Sequence, residues 1–106
     1  MAYIYEVSFD IDSDQLDELR IGASLERVIG YLRTLLPSEQ GFITARAMYS
    51  LNESSMIRLI VESIWDQWED LLVHKSSGLA EQKVLAEFHP QVDIGNLTVR
   101  VYKEVQ

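Results

Sequence analysis

The sequence contains no cysteine. Disulfides, thiolate metal sites and cysteine nucleophiles are excluded together. Basic residues are scarce, 9 Lys and Arg against 17 Asp and Glu, for a formal net charge of −8. Such a surface repels phosphate backbones, and no basic stripe offsets it, so nucleic acid is not an expected partner. No apolar run reaches the ~18 residues of a membrane span. Met1 to Asp10 alternates apolar and polar residues and lacks the basic start and apolar block of a secretory signal. A cytoplasmic protein away from membranes is the expectation. Gly-rich phosphate loops, Gly-x-Ser-x-Gly and a Ser/His/Asp pattern are missing as well. The two histidines, His74 and His89, have no local carboxylate cluster, so neither a metal nor another cofactor is expected.

What is present is an ordinary globular balance: 106 residues, 47% of them hydrophobic. That fits one domain with one core over residues 1–106. No linker, repeat or low-complexity segment divides the chain. Tyr3 to Ile11 alternates with period two and reads as a strand. Gln15 to Ala23 supports at most a short helical turn. Ser24 reads as an N-cap, because Leu25, Val28, Ile29, Leu32, Leu35 and Leu36 then recur at helical spacing. Pro37 and Gly41 stop that helix. Phe42 to Leu51 and Met56 to Trp65 read as strands joined by a hairpin loop, Asn52-Glu53-Ser54-Ser55. Asp66, with Glu69 three residues on, has the spacing of a capping box for a second helix. Trp68, Leu71 and Leu72 give that helix its apolar face. Ser76-Ser77-Gly78 interrupts it before a segment from Leu79 to Phe88, with Ala80, Val84, Leu85 and Phe88 inward. Asn96 to Val105 reads as the last strand. The order is βαββαβ, an α+β domain of ferredoxin-like type. Both helices on one face of a four-stranded antiparallel sheet are its simplest packing, with the first and third strands central.

That packing leaves the second sheet face to be explained. Alternation assigns Ile43, Ala45, Ala47, Tyr49, Ile57, Leu59, Val61, Trp65, Leu97, Val99 and Val101 to the helices, and Phe42 to the opposite set. The second face then carries Ile4, Glu6, Ser8, Thr44, Arg46, Met48, Arg58, Ile60, Glu62, Thr98, Arg100 and Tyr102. A mixture of apolar and charged residues suits a surface covered by a partner, with a polar pocket inside it. Half of the chain's arginines, Arg46, Arg58 and Arg100, share this face. Two readings stay open. The arginines pair with Glu6, Glu62 and Glu104 as interface salt bridges, or with Glu62 they hold a small anionic or polar ligand. Tyr102 shares the face and is suited to donate a hydrogen bond to a developing oxyanion. His74 is the candidate general base, weighed against a helix-surface or cavity-rim histidine. His89, before Pro90, reads as an exposed loop residue, and Trp65 and Trp68 as core anchors.

The stretch from Gly41 to His74 resembles the dimeric α/β-barrel superfamily, in particular its antibiotic-biosynthesis-monooxygenase-like branch. The resemblance rests on Gly41-Phe42 before the second strand, Glu62 and Trp65 closing the third, and His74 on the helix that follows. Glu62 stands three residues before Trp65, where the family pattern has two. The resemblance implies a homodimer whose sheets pack face to face into a barrel, covering the mixed face. It implies a cofactor-free oxygenase-like or isomerase-like enzyme, with His74 at the barrel rim, or a non-catalytic ligand-binding or structural dimer. The haem-degrading branch is not implied. The first strand has no asparagine, and His74 and Val84 stand where that branch carries a tryptophan and, nearby, a histidine.

Overall fold

The structure is a computed structural model in which residues 1–51, 55–95 and 97–105 are described. Asn52, Glu53 and Ser54 of the expected hairpin loop lie outside that set, as does Asn96, the expected start of the last strand. The elements follow the expected order: β1 (Tyr3–Asp12), α1 (Glu18–Leu35), β2 (Phe42–Tyr49), β3 (Met56–Trp65), α2 (Trp68–Ser77), α3 (Leu79–Phe88) and β4 (Thr98–Lys103). A 3-10 turn, Leu36–Ser38, follows α1, and Pro37 stands in its first turn. The four-stranded sheet runs β2-β3-β1-β4, every neighbouring pair antiparallel, with the first and third strands in the centre. α1 packs on β2 and α3, while α2 packs on β1 and β3.

α1 starts earlier than its apolar stripe first indicates. Asp17 is the N-cap, its carboxylate accepting the Arg20 backbone N–H at 2.8 Å. Ser24 is no cap but a buried residue inside the helix. Its Oγ accepts from Arg27 Nη2 at 3.2 Å and from Gln91 Nε2 at 3.0 Å. The stripe begins at Ile21 and runs through Ser24, Leu25, Val28, Ile29 and Leu32. A serine at one stripe position and the fully exposed-side Leu19, 84% accessible, hid the first turns. Leu35 is exposed too, and Leu36 is buried from within the 3-10 turn.

α2 also begins differently. Gln67, not Asp66, is its N-cap, without a side-chain hydrogen bond. The Asp66 carboxylate accepts from Gln67 Nε2 at 3.0 Å, and its backbone N–H reaches Gly41 O at 2.8 Å. Glu69 and Asp70 supply first-turn negative charge that favours the helix start. Leu71 and His74 are its buried residues, whereas Trp68 and Leu72 are largely exposed. Gly78, at φ 66°, ends α2 in the left-handed conformation that glycine adopts without strain. In α3, Ala80, Val84 and Phe88 are buried and Leu85 is exposed.

The chain enters β2 through Gly41, at φ 81°, where a Cβ would collide with the Asp70 carboxylate. A register shift follows between Phe42 and Thr44. It leaves Ile43 as the extra residue, 52% exposed, and turns Phe42 toward the core. The Phe42 and Trp65 rings meet edge to face at 5.6 Å. Simple alternation along β2 assigns Ile43 to the helices and Phe42 to the opposite face, and the bulge reverses both. In β4, Val99 and Val101 do lie on the helix side, opposite Val7 and Tyr5, but are 39% and 36% exposed. They are exposed because β4 is an edge strand and the helices pack on β1, β2 and β3.

Candidate functional site

The second face of the sheet is built as the alternation requires. Its rows follow from the register. One row runs Arg46, Glu62, Glu6, Arg100 across β2, β3, β1 and β4. The row on one side is Met48, Ile60, Ser8, Thr98, and on the other Thr44, Ile64, Ile4, Tyr102. Arg58 stands opposite Asp10 at one end. A charged row therefore lies between two uncharged ones.

The two glutamates are directly opposite each other on the central strands, an arrangement that destabilises unless compensated. Within one protomer they are 8% and 9% exposed. Arg46 Nε meets Glu62 Oε2 at 2.6 Å, and Tyr102 donates its hydroxyl to Glu6 Oε1 at 3.3 Å. Arg58 pairs with Asp10 rather than with a glutamate, Nε to Oδ1 at 3.4 Å, and donates from Nη1 to Ser8 Oγ at 3.2 Å. Asp10 lies two residues beyond Ser8 in β1 and directly opposite Arg58, which puts it nearer Arg58 than Glu62 or Glu6 is. Arg100 is exposed and, among the described residues, has no ion pair, although it stands opposite Glu6. Glu104 is engaged through its backbone N–H, which donates to Ala2 O at 2.8 Å. The structure thus brings together Arg46, Glu62, Glu6, Arg100 and Tyr102, with Arg58 at the margin.

His74 is not part of that group. It points from α2 onto the other side of the sheet and is 4% exposed. Its ring stacks on Trp65 at 4.9 Å and meets the Tyr5 ring edge-on at 5.1 Å. The helical spacing from Leu71 carries His74 inward, so the expected rim position is replaced by a core position. Its Nε2 is buried with no hydrogen-bond partner among the described residues. Burial pushes the imidazole down to about 4, so the ring is neutral at pH 7. Beside it the Tyr5 hydroxyl donates to Glu81 Oε1 at 2.6 Å. Burial first, then the Glu81 carboxylate, holds the phenol well above the ordinary tyrosine range. Trp65 Nε1 donates to Ser63 Oγ at 2.9 Å. This enclosed polar nest had no sequence signal, since Tyr5 and Glu81 are far apart in the chain and neither belongs to a motif.

No protein-family model matches the chain, and no curated protein matches it by sequence. Solved structures do match in fold. A candidate antibiotic biosynthesis monooxygenase from Bacillus cereus superposes with a TM-score of 0.67 at 18% identity, over 97% of this chain and 90% of that one. A point mutant of SnoaB, a cofactor-independent oxygenase from Streptomyces nogalater, gives 0.61 at 7% identity, over 99% and 94% of the two chains. A dimeric protein of unknown function with a ferredoxin-like fold, from Bacteroides fragilis, gives 0.60 at 10% identity, over 96% of each. Identities this low carry the architecture and leave the chemistry to the site itself. The chain has the ferredoxin-like α+β fold found in proteins named as antibiotic-biosynthesis-monooxygenase-like.

Proposed function

We propose that this chain works as a homodimer whose two mixed sheet faces enclose a barrel interior. There it turns over a small oxygenated compound by cofactor-independent monooxygenase-like or isomerase-like chemistry. The observation that carries this reading is Arg100. It is an exposed cation without an ion pair among the described residues, beside Tyr102 on the mixed sheet face. A phenolate or enolate placed there gains a guanidinium fork and, when the Tyr102 hydroxyl turns from Glu6, a hydrogen bond to the developing oxyanion. Arg46 and Glu62 hold the far end of the row, and Arg58 its margin. His74 lies across the sheet from this group and is assigned no step.

A stable dimer buries at least about 1,000 Å² in total, and sedimentation at micromolar concentration should show two copies. Oxygen uptake and product mass are then measured across a panel of phenols and quinones. Activity that falls in Arg100→Ala and Tyr102→Phe while the dimer persists supports the reading. A silent panel, with no calorimetric binding either, favours a non-catalytic ligand-binding or structural homodimer. One observation favours that alternative: Arg46 and Arg58 are already neutralised by Glu62 and Asp10.

A further inference from the structure

A groove of about 520 Å³ runs between α1 and β2, and Arg46, the β2 end of the charged row, lies along its strand side with Met48. That volume is in the range of small-molecule sites. Leu25, Ile29 and Tyr49 give it apolar walls, and Gly22 and Arg33 lie along its α1 side. A Cβ at Gly22 would meet no atom within 4 Å, so the glycine leaves open space there.

Arg33 is the unusual member. Its Nε and Nη2 both donate to Ala45 O, at 3.1 and 2.8 Å. The guanidinium is therefore fixed in direction, with Nη1 in no hydrogen bond or ion pair among the described residues. In a chain of net charge −8, a cation held this way without a carboxylate is poorly explained by surface pairing alone. Capping the free edge of β2 explains the contact to Ala45. It leaves Nη1 with no partner among the described residues, on a side chain that lines a largely apolar groove. Glu26, the acidic residue on the same wall, is two helical turns from Arg33, a rise of about 10 Å, and cannot reach it.

We infer that the α1–β2 groove binds an amphipathic monocarboxylate. Its carboxylate meets Arg33 and its apolar body lies along Ile29 and Leu25 toward Gly22. From Arg33 to Gly22 the helix rises about 16 Å, so an extended ten-carbon chain, roughly 12 Å long, covers most of that path. Glu26 disfavours a second carboxylate on that path. The site meets the second sheet face only at its edge, through Arg46 and Met48, and does not depend on the reaction proposed there.

The test uses decanoate, with decanol as the neutral control, on the full-length protein. Titration is followed by calorimetry and by backbone amide shifts. The expected result is saturation by decanoate with shifts centred on Gly22, Ala47 and Tyr49, and binding of decanol at least tenfold weaker. Arg33→Gln should weaken decanoate at least tenfold. Gly22→Leu, which fills the open space and improves helix propensity, should abolish binding with the melt unchanged or raised. The Gly22→Leu result stands even if Arg33→Gln fails to fold. Equal binding of decanol, shifts centred on Glu6 and Arg100 instead, or decanoate binding unaltered in Gly22→Leu would each overturn the assignment. So would failure of decanoate to saturate.

Discussion

On the helix side of the sheet, His74 is sealed between Trp65 and Tyr5, one ring nitrogen having no hydrogen-bond partner among the described residues. On the open side, Glu6 and Glu62 are nearly as inaccessible, yet each is met by a partner, Tyr102 and Arg46. The two regions show two ways of keeping a titratable group out of water. The histidine gives up its charge. The glutamates are matched by donors on neighbouring strands, and their row ends in an arginine with no ion pair among the described residues. The first solution is complete within one chain, whereas the second leaves a face for something else to cover.

The largest effect expected from this contrast comes from placing one new charge on each side. Leu32 is fully buried in the α1 stripe. Leu32→Asp puts an unpaired carboxylate there, costing several kcal/mol out of the roughly 5–15 kcal/mol that holds a domain together. Loss of a cooperative circular dichroism melt is expected. Ile60→Asp, on the open face, should retain a folded protomer and shift the dimer toward monomer. Equal loss of fold in both would break the distinction between core and interface.

The next effect is a pH dependence. His74 ionises near 4 in the folded chain and near 6.5 when unfolded. Below pH 6.5 the unfolded chain takes a proton that the folded one refuses. The contribution is therefore fully present above pH 6.5 and is lost as pH falls toward 4. The total is on the order of 3 kcal/mol. Urea melts at pH 7.5, 5.5 and 4.5 should show His74→Phe less acid-sensitive than the native chain. Parallel pH profiles would mean that the imidazole has access to water after all.

Removing one partner on the open face should cost less. Arg46→Ala leaves Glu62, 9% exposed, without its ion pair. An unmet buried carboxylate is expensive, but the Arg46 side chain is itself 54% exposed. A loss of about 1–2 kcal/mol is expected, and the double variant Arg46→Ala/Glu62→Leu should recover most of it. No recovery would show that Arg46 acts through something other than Glu62.

How much of this was legible follows from range. Strand positions in β1 and β3, the membership of the charged row and the span of α3 come from local period, and the sequence carries them directly. The start of α1 was obscured because Ser24 fills an apolar stripe position by bonding to Arg27 and Gln91. Phe42 was placed on the wrong face because a bulge resets alternation without leaving a compositional mark. His74 stands three residues after Leu71, so helical period alone carries it inward; the rim position followed from the resemblance and not from that period. Arg58 was expected to pair with a glutamate, whereas strand register selects Asp10. Apart from His74, each miss involves a partner or phase set by tertiary structure.

The smallest stability effect, and the sharpest test of the comparison, belongs to Arg100. It is exposed and opposite Glu6 without pairing to it. Within one protomer, Arg100→Ala should change stability by less than about 0.5 kcal/mol, as for most exposed positions. If the open face is completed by a second copy or a ligand, the same change has a larger effect elsewhere, since desolvated guanidinium contacts are worth more than exposed ones. Dimer dissociation by analytical ultracentrifugation, or binding of a phenolate by calorimetry, should weaken about tenfold while the urea midpoint of the protomer stays in place. Arg58→Ala serves as the control, because Arg58 already has Asp10 and both side chains are over 40% exposed. If the two variants behave alike in all three measurements, Arg100 is an ordinary surface charge. The open face is then complete without a partner, as the helix side is.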